Sequence, residues 1–225
     1  MDLLDWTRGP LLAAALTVFI AACAWRIWSL LRLPPGPARG ANRAPFGTGA
    51  ALRSALRRFA VPAGFSPSAT LVTFNPYVFH IGLAVVFFGY APHVAFIRRL
   101  TGLWWPALPD AAMYVAAAVT ITSLLLALLF RLSDPVLRRL SGSDDLLSWA
   151  LTMLPLLTGM AAVGEPSSTL LAHAAPVYRT PPALHLLSVE LLLVWFPFGK
   201  LMHAFLVLPA RMQLATFFGR RGVRA

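Results

Sequence analysis

Long apolar stretches alternate with short polar, often basic, segments along this chain. Five of the apolar stretches hold about 20 residues, the length that an α-helix needs to cross roughly 30 Å of hydrocarbon. They cover approximately residues 10–31, 75–96, 110–130, 146–163 and 183–208. Prolines refine the predicted helix boundaries. Asn75-Pro76 is a typical helix start, and Pro155 and Pro197 predict bends inside helices. The pattern predicts an all-α integral membrane protein, a bundle of five transmembrane helices that forms one domain over residues 1–225.

Composition agrees with the membrane assignment and narrows the function classes. Hydrophobic residues make up 58% of the 225 residues and charged residues only 12%, whereas soluble domains average about 25% charged residues. The net charge of +11 does not indicate a nucleic-acid partner, since the basic residues lie between the apolar stretches, where they set membrane orientation. The lone Cys23 lies inside an apolar stretch, so neither a disulfide framework nor a thiolate metal site is expected.

The basic residues of the loops predict which way the chain crosses the membrane. If the N-terminus lies outside, the outer segments carry 4 basic residues and the inner segments carry 13. The positive-inside rule therefore predicts a periplasmic N-terminus and a cytoplasmic C-terminus, in a bacterial inner membrane. Residues 32–68 then form a cytoplasmic loop, in which 51–59 favour a short amphipathic helix for lipid headgroups or for a partner. Residues 1–6 lack the basic region of a secretory signal, so the first span is expected to be retained.

Four histidines in two of the apolar stretches are the strongest functional signal. An ionisable side chain inside a bilayer is costly and indicates a functional site. His80 and His93 lie 13 residues apart in the second stretch, and His185 and His203 lie 18 apart in the fifth. Eighteen residues make five helical turns and span about 27 Å. Antiparallel helices place His80 level with His203 and His93 level with His185, which suits two b-type haems, each with two axial imidazoles.

His93 is the member of this set that fits a straight helix least well. Thirteen residues at about 100° each turn it away from the helix face that carries His80. A kink at Pro92 would turn the ring inward; otherwise His93 is a boundary histidine, and the outer haem is absent or held differently. One haem and two haems therefore both stay open. His173 lies in the outer loop 169–182 and is interpreted as a loop residue, with a role near a quinone as the alternative.

Three basic residues near the histidines are candidates for binding haem propionates. Lys200 precedes His203 by three residues, so both share one helix face; the alternative is a lysine that reaches the membrane surface. Arg98 and Arg99 follow His93 and are candidates for the outer haem, or plain residues of the membrane interface.

Two glycines and one carboxylate in the same stretches also suggest a role. Gly82 and Gly89 lie seven residues apart on nearly one face of the second stretch. Small residues there admit either a flat macrocycle or a neighbouring helix. Glu190 is the only carboxylate deep in the fifth stretch. It is interpreted as a possible proton relay or as a neutral, hydrogen-bonded core residue.

Two sequence runs around the histidines carry a family resemblance. The runs are Phe79-His80-Ile81-Gly82 and Leu184-His185-Leu186, the second followed by Phe196-Pro197-Phe198-Gly199-Lys200-Leu201-Met202-His203. They resemble the gamma subunit of respiratory nitrate reductase, from the dihaem cytochrome b family of five-span quinol-oxidising membrane anchors. The resemblance implies that His80 and His203 ligate a haem near the cytoplasm and that His185 takes part in a haem near the periplasm. Tyr90 stands where those gamma subunits have their second histidine, so the alternative is a resemblance to the sulfite-reductase-linked or heterodisulfide-reductase-like branches of the wider family.

The function expected from these residues is that of a membrane cytochrome b subunit. It would carry electrons between quinone or quinol and a cytoplasmic iron–sulfur subunit of a redox complex, with no catalytic side chain of its own. The sequence sets neither the direction of electron flow nor the substrate of the complex. The alternative is a haem-free proton or solute transporter that uses the intramembrane histidines and Glu190, although the chain has no clear inverted repeat. A passive membrane anchor is a third reading, which would leave the buried histidines without a purpose.

Overall fold

The regular elements of the structure, a computed structural model, are all helices. It describes residues 2–33, 46–59, 67–163 and 180–222, and within these ranges the predicted all-α class is confirmed. A 3₁₀ turn at Lys200–Met202 separates the last two helices. The helices are α1 Leu3–Arg8, α2 Pro10–Leu31, α3 Thr48–Arg57, α4 Pro67–Gly89, α5 Ala91–Thr101, α6 Asp110–Ser133, α7 Pro135–Leu140, α8 Ser143–Val163, α9 Thr180–Trp195 and α10 His203–Gly219.

In the described ranges, five segments are long and apolar enough to cross a membrane, which supports a multi-pass membrane protein. Helix α9 is apolar as well but has only 16 residues. Three spans agree closely with the sequence prediction, since α2 begins at Pro10, α6 begins at Asp110, and α8 continues through Pro155 as one helix. The candidate spans are Leu3–Leu31, Leu71–Gly89, Asp110–Ser133, Ser143–Ala162 and Lys200–Gly219.

The fifth apolar stretch, predicted over 183–208 with a bend at Pro197, is not one continuous helix. Helix α9 ends at Trp195, and the backbone is extended at Gly199 before the 3₁₀ turn and α10 begin. Pro197 explains the break, because proline lacks the N–H of a helical hydrogen bond and its ring clashes with the preceding turn. From α2, the Arg26 guanidinium donates to the Pro197 carbonyl at 2.5 Å. The 18 residues between His185 and His203 therefore do not form five turns of one helix.

The second span also differs from its prediction over 75–96. Helix α4 begins earlier, so Pro76 lies inside the helix and Asn75 is not its cap. Instead, the Asn75 side-chain amide donates to the Ser123 carbonyl at 2.8 Å, and the Ser123 hydroxyl contacts Asn75 in return. This interhelical pair gives the amide partners inside an apolar bundle, where an unpaired polar group is costly. The helix ends at Gly89, Tyr90 is extended, and α5 begins with a proline in its first turn.

The long helices form a row in which each contacts the next. Helix α4 packs on α6, α6 on α8, α8 on α9, and α9 on α2. Leu124, Met153 and Leu156 form a buried cluster between α6 and α8. Most other large apolar side chains face outward, as expected for a bundle whose surroundings are hydrocarbon rather than water.

The predicted short amphipathic helix forms as α3. Ala51 and Ala55 are buried in a helix that packs on α10. Arg53 and Arg57 lie on its exposed side. Helix α3 is therefore attached to the helix that begins at His203.

Candidate functional site

His80 and His203, called the first pair below, face each other between α4 and α10. Their ring centres are 5.9 Å apart and their planes are nearly perpendicular, at 89°. His80 Nδ1 lies 2.6 Å from the Pro76 carbonyl oxygen, and His203 Nδ1 lies 2.9 Å from that of Lys200. A carbonyl only accepts hydrogen bonds, so each Nδ1 is the donor, and in the neutral imidazole the lone pair then lies on Nε2. Both residues are exposed in the single chain.

The chain break before α10 sets the position of His203. His203 is the first residue of α10, and its ring is bonded to a carbonyl of the 3₁₀ turn that precedes it. Two contacts attach that region to the start of α8. The Lys200 ammonium lies 2.6 Å from the Asp145 carboxylate, and the Trp195 indole N–H donates to the Ser148 hydroxyl at 3.0 Å. Helix α8 therefore holds the turn on which the His203 ring depends.

Lys200 has a partner that the sequence analysis did not foresee. Its ammonium pairs with Asp145, whose other oxygen lies 3.2 Å from the Arg131 guanidinium. The Gly142 backbone N–H also donates to Asp145, at 3.0 Å. The sequence suggested a propionate contact or an extension to the membrane surface for Lys200. Neither role includes the Asp145 carboxylate. The Asp145 carboxylate fixes the Lys200 side chain. The Lys200 backbone carbonyl in turn accepts a hydrogen bond from the His203 ring.

His93 and His185, called the second pair, meet between α5 and α9. Their ring centres are 6.1 Å apart and their planes are close to parallel, at 20°. His93 reaches this position because the chain breaks at Tyr90, so it does not continue the rotation of α4. The angular problem of a straight helix therefore does not arise. The rings of Tyr90 and Phe87 also surround His93, with ring centres at 5.2 and 5.5 Å.

The second pair has different hydrogen bonds from the first. His185 Nδ1 lies 3.3 Å from the Thr158 hydroxyl, which is also 2.9 Å from the Ser188 hydroxyl. His93 Nδ1 is buried and has no hydrogen-bond partner among the residues that the structure describes. Gly159 leaves room for the His185 ring, since a Cβ there would lie 3.2 Å from its Cε1. Thr158 and Gly159 of α8 therefore shape the surroundings of the His185 ring.

Among the described residues, each site contains two imidazoles. Within the described ranges, no group of three or more histidine, cysteine, aspartate or glutamate residues is arranged to hold a metal ion. A bare structural metal normally needs about four protein ligands. Two facing imidazoles instead suit a metal whose remaining ligands come from a cofactor, as in haem. The chemistry of the donor set therefore fits haem better than a bare ion.

The two glycines of α4 lie against protein rather than against the histidine rings. A Cβ on Gly82 would collide with the Thr120 hydroxyl of α6, and one on Gly89 would approach Leu108 to 2.7 Å. These contacts agree with the helix-packing alternative, in which small residues let α4 and α6 approach closely.

The remaining candidates are a buried carboxylate of α9, two arginines of α5 and a histidine outside the described ranges. Glu190 is only 5% exposed, and neither of its oxygens has a hydrogen-bond partner among the described residues. Arg98 and Arg99 line a cavity next to α5 together with Trp104. His173 lies in 164–179, outside the residues that the structure describes.

Comparison with known proteins gives one relative over nearly the whole chain. The chain is 30% identical over 231 aligned positions to a protein of Nitratidesulfovibrio vulgaris (strain Hildenborough), with 95% of this chain and 93% of that protein covered. The chain belongs to the family of that protein. The relative's name states no activity, so this membership assigns no function. No model of a known protein family matches the chain, and no solved structure matches it.

Three residues around the rings were missed in the sequence analysis. Asp145, Thr158 and Gly159 all lie on α8, which carries no histidine. Asp145 had a weak signal as one of two acidic residues at the start of an apolar stretch. The Thr158-Gly159 pair in the middle of a span is a second weak signal, because small and hydroxyl residues mark close helix contacts in membranes.

Proposed function

We propose that this chain is a membrane cytochrome b subunit of a redox complex in the bacterial inner membrane. It holds two b-type haems and carries electrons between quinone or quinol and a cytoplasmic iron–sulfur partner. The N-terminus is periplasmic and the C-terminus cytoplasmic, so the first pair lies nearer the cytoplasm. The observation that carries the proposal is that two pairs of facing imidazoles join the same two arms of the chain, α4–α5 and α9–α10.

The ring spacings support ligation of one iron by each pair. A bond between a metal and an imidazole nitrogen is about 2.0 Å long, and the ring centre lies roughly 1.1 Å behind the nitrogen, so opposed imidazoles on one metal have centres about 6 Å apart. The separations of 5.9 and 6.1 Å agree with this distance.

The tautomer of the first pair supports the same assignment. A histidine that binds a metal through one nitrogen usually donates its other ring N–H to a carbonyl, a carboxylate or water, which fixes the ring orientation and raises its basicity. His80 and His203 already make such bonds with Pro76 and Lys200. Each ring is thus oriented by its own helix or turn with Nε2 available for iron.

The protein residues orient the cofactor, while the cofactor supplies the redox chemistry. When bound, haem would supply one-electron redox chemistry, at a potential that depends on the protein ligands and their hydrogen bonds. His80 and His203 hold one such group through Nε2, and His93 and His185 hold the other. Thr158 orients His185, and the pair of Asp145 and Lys200 holds the turn that precedes His203.

A reduced-minus-oxidised absorption spectrum of the purified full chain, with haem quantified per polypeptide, tests the proposal. Two b-type haems per chain are expected. His80→Ala or His203→Ala should remove one of them, and His93→Ala or His185→Ala the other. His173→Ala, a histidine outside both pairs, serves as the matched control and should keep both. A well-folded chain without b-type haem would refute the proposal, and a haem content unaffected by His93→Ala would remove the second site.

A further inference from the structure

A second kind of site lies beside α5, apart from the histidine pairs. After α5, residues 102–109 fold back along the helix. The Leu108 N–H donates to the Gly89 carbonyl at 2.8 Å, and the Trp105 indole N–H donates to the Phe88 carbonyl at 2.7 Å. This fold leaves a cavity of about 540 Å³ between the helix and the returning segment. Its lining includes Ala91, Ala95, Arg98, Arg99, Trp104 and Trp105.

The cavity lies on the side of α5 that faces away from the second pair. At about 100° per residue, Arg98 is roughly 140° and Arg99 roughly 120° around the helix from His93. His93 is turned toward His185, whereas both arginines line the cavity. The two arginines therefore lie on a different face of α5 from His93, where the cavity offers them a ligand other than a haem propionate.

The lining of the cavity combines positive charge with aromatic and small apolar surface. Neither guanidinium has an ion-pair partner within the described parts of the chain. Asp110, the acidic residue that begins α6, is not among the lining residues. Arginine binds phosphate through parallel N–H bonds, and tryptophan is enriched at the level of lipid headgroups. Ala91 and Ala95 keep the helix surface flat, so a ligand of moderate size fits.

We propose that this cavity binds the phosphate headgroup of an anionic phospholipid. The two guanidiniums hold the phosphate oxygens, while the tryptophans contact the glycerol and the upper part of the acyl chains. The volume lies within the range of about 300–1,000 Å³ typical of small-molecule sites. Free inorganic phosphate shares the charged chemistry but lacks the apolar part that the tryptophans would cover. The proposal does not depend on haem, because it concerns the opposite face of α5.

Native mass spectrometry of the full chain in a nonionic detergent tests the lipid site. Dioctanoyl phosphatidylglycerol should bind at least about tenfold more tightly than dioctanoyl phosphatidylcholine, and the double variant R98Q/R99Q should lose about that factor. R138Q/R139Q is the matched control, since it neutralises an exposed arginine pair at the end of α7, and it should bind as the unchanged chain does. R98K/R99K keeps the charge and should bind more tightly than the glutamine variant.

Three outcomes would overturn the proposal. Equal binding by R98Q/R99Q would show that the arginines do not hold the phosphate. If inorganic phosphate displaced the lipid at a concentration equal to that of the lipid, the cavity would be assigned to the free anion. Loss of a haem from R98Q/R99Q would assign the arginines to a propionate instead. A chain without any haem would refute the cytochrome proposal and leave the lipid titration fully interpretable.

Discussion

The first and second pairs have nearly equal ring separations, but their rings are held in different ways. In the first pair, backbone carbonyls accept from both Nδ1 atoms. In the second pair, one Nδ1 contacts a threonine hydroxyl, and the other is buried with no partner in the described ranges. Backbone partners are present whatever the side chain, whereas Thr158 is replaced by a single substitution. We therefore expect single substitutions to alter the second pair more easily than the first. We also expect the His93 ring to be held less firmly than the rings of the first pair.

The largest expected effect comes from filling the space beside His185. In Gly159→Val the added atoms meet the imidazole, and overpacking of this kind costs about 1–3 kcal/mol. We expect the second-pair haem to be lost, so that the haem-to-protein ratio falls by half, while the spectrum of the first pair is unchanged. Gly49→Val is the control, because a Cβ on that helical glycine has nothing within 4 Å. Retention of both haems in Gly159→Val would show that the second pair is not held by close packing.

An intermediate effect is expected at the first pair when Asp145 loses its charge. Asp145→Asn weakens the contact to Lys200, and the turn that holds His203 should loosen. The midpoint potential of one haem should shift by roughly 20–60 mV, or about 0.5–1.4 kcal/mol for one electron, with the other unchanged. Redox titration followed by absorption measures both potentials.

Two further variants separate this effect from a general loss of charge. Asp134→Asn is the control, since the Asp134 carboxylate accepts from the Val136 and Leu137 backbone N–H groups at the start of α7 and asparagine caps a helix about as well, so it should leave both potentials in place. In a chain that already carries Lys200→Gln, Asp145→Asn should have little further effect. A full additional shift in that background would mean that Asp145 acts on the haem without the lysine.

The smallest effect is expected from removing the hydroxyl next to His185. Thr158→Val deletes a contact of 3.3 Å, which is long for a hydrogen bond between neutral groups. The potential of the second haem should move by roughly 10–20 mV. Thr152→Val removes a hydroxyl that bonds only within α8 and should move neither potential. A shift at the first pair in Thr158→Val would contradict the separation of the two sites.

The sequence predicted the elements that depend on hydropathy and missed those that depend on local geometry. Apolar length identified the spans, and the depth of each histidine in its span suggested the partners that the structure brings together. The chain breaks were underestimated, because Pro197 was expected only to bend a helix that in fact ends before it. Pro76 was taken as a helix start, although α4 continues through it. Whether a proline bends, breaks or is accommodated depends on partners such as Arg26, which no local pattern reveals.

The contribution of α8 to both sites could not be predicted for a similar reason. Asp145 and Thr158 contact residues far away in sequence, and no periodic pattern connects them to a histidine. Gly159 is informative only after its neighbour across the interface is known. These contacts follow from packing of whole helices, which short sequence windows do not determine.

The two chain breaks give the first pair and the second pair the same arrangement, with the two arms of the chain in exchanged roles. Each pair joins one ring inside an uninterrupted helix, His80 of α4 or His185 of α9, to one ring in the first turn after a break, His203 of α10 or His93 of α5. Each arm thus supplies one rigidly mounted ring and one ring whose position depends on a few turn residues. Lengthening or shortening the turn before α5 would change only the separation between His93 and His185. The same change in the turn before α10 would change only the separation between His80 and His203. Related chains can thus tune the two sites independently while keeping the same set of helices.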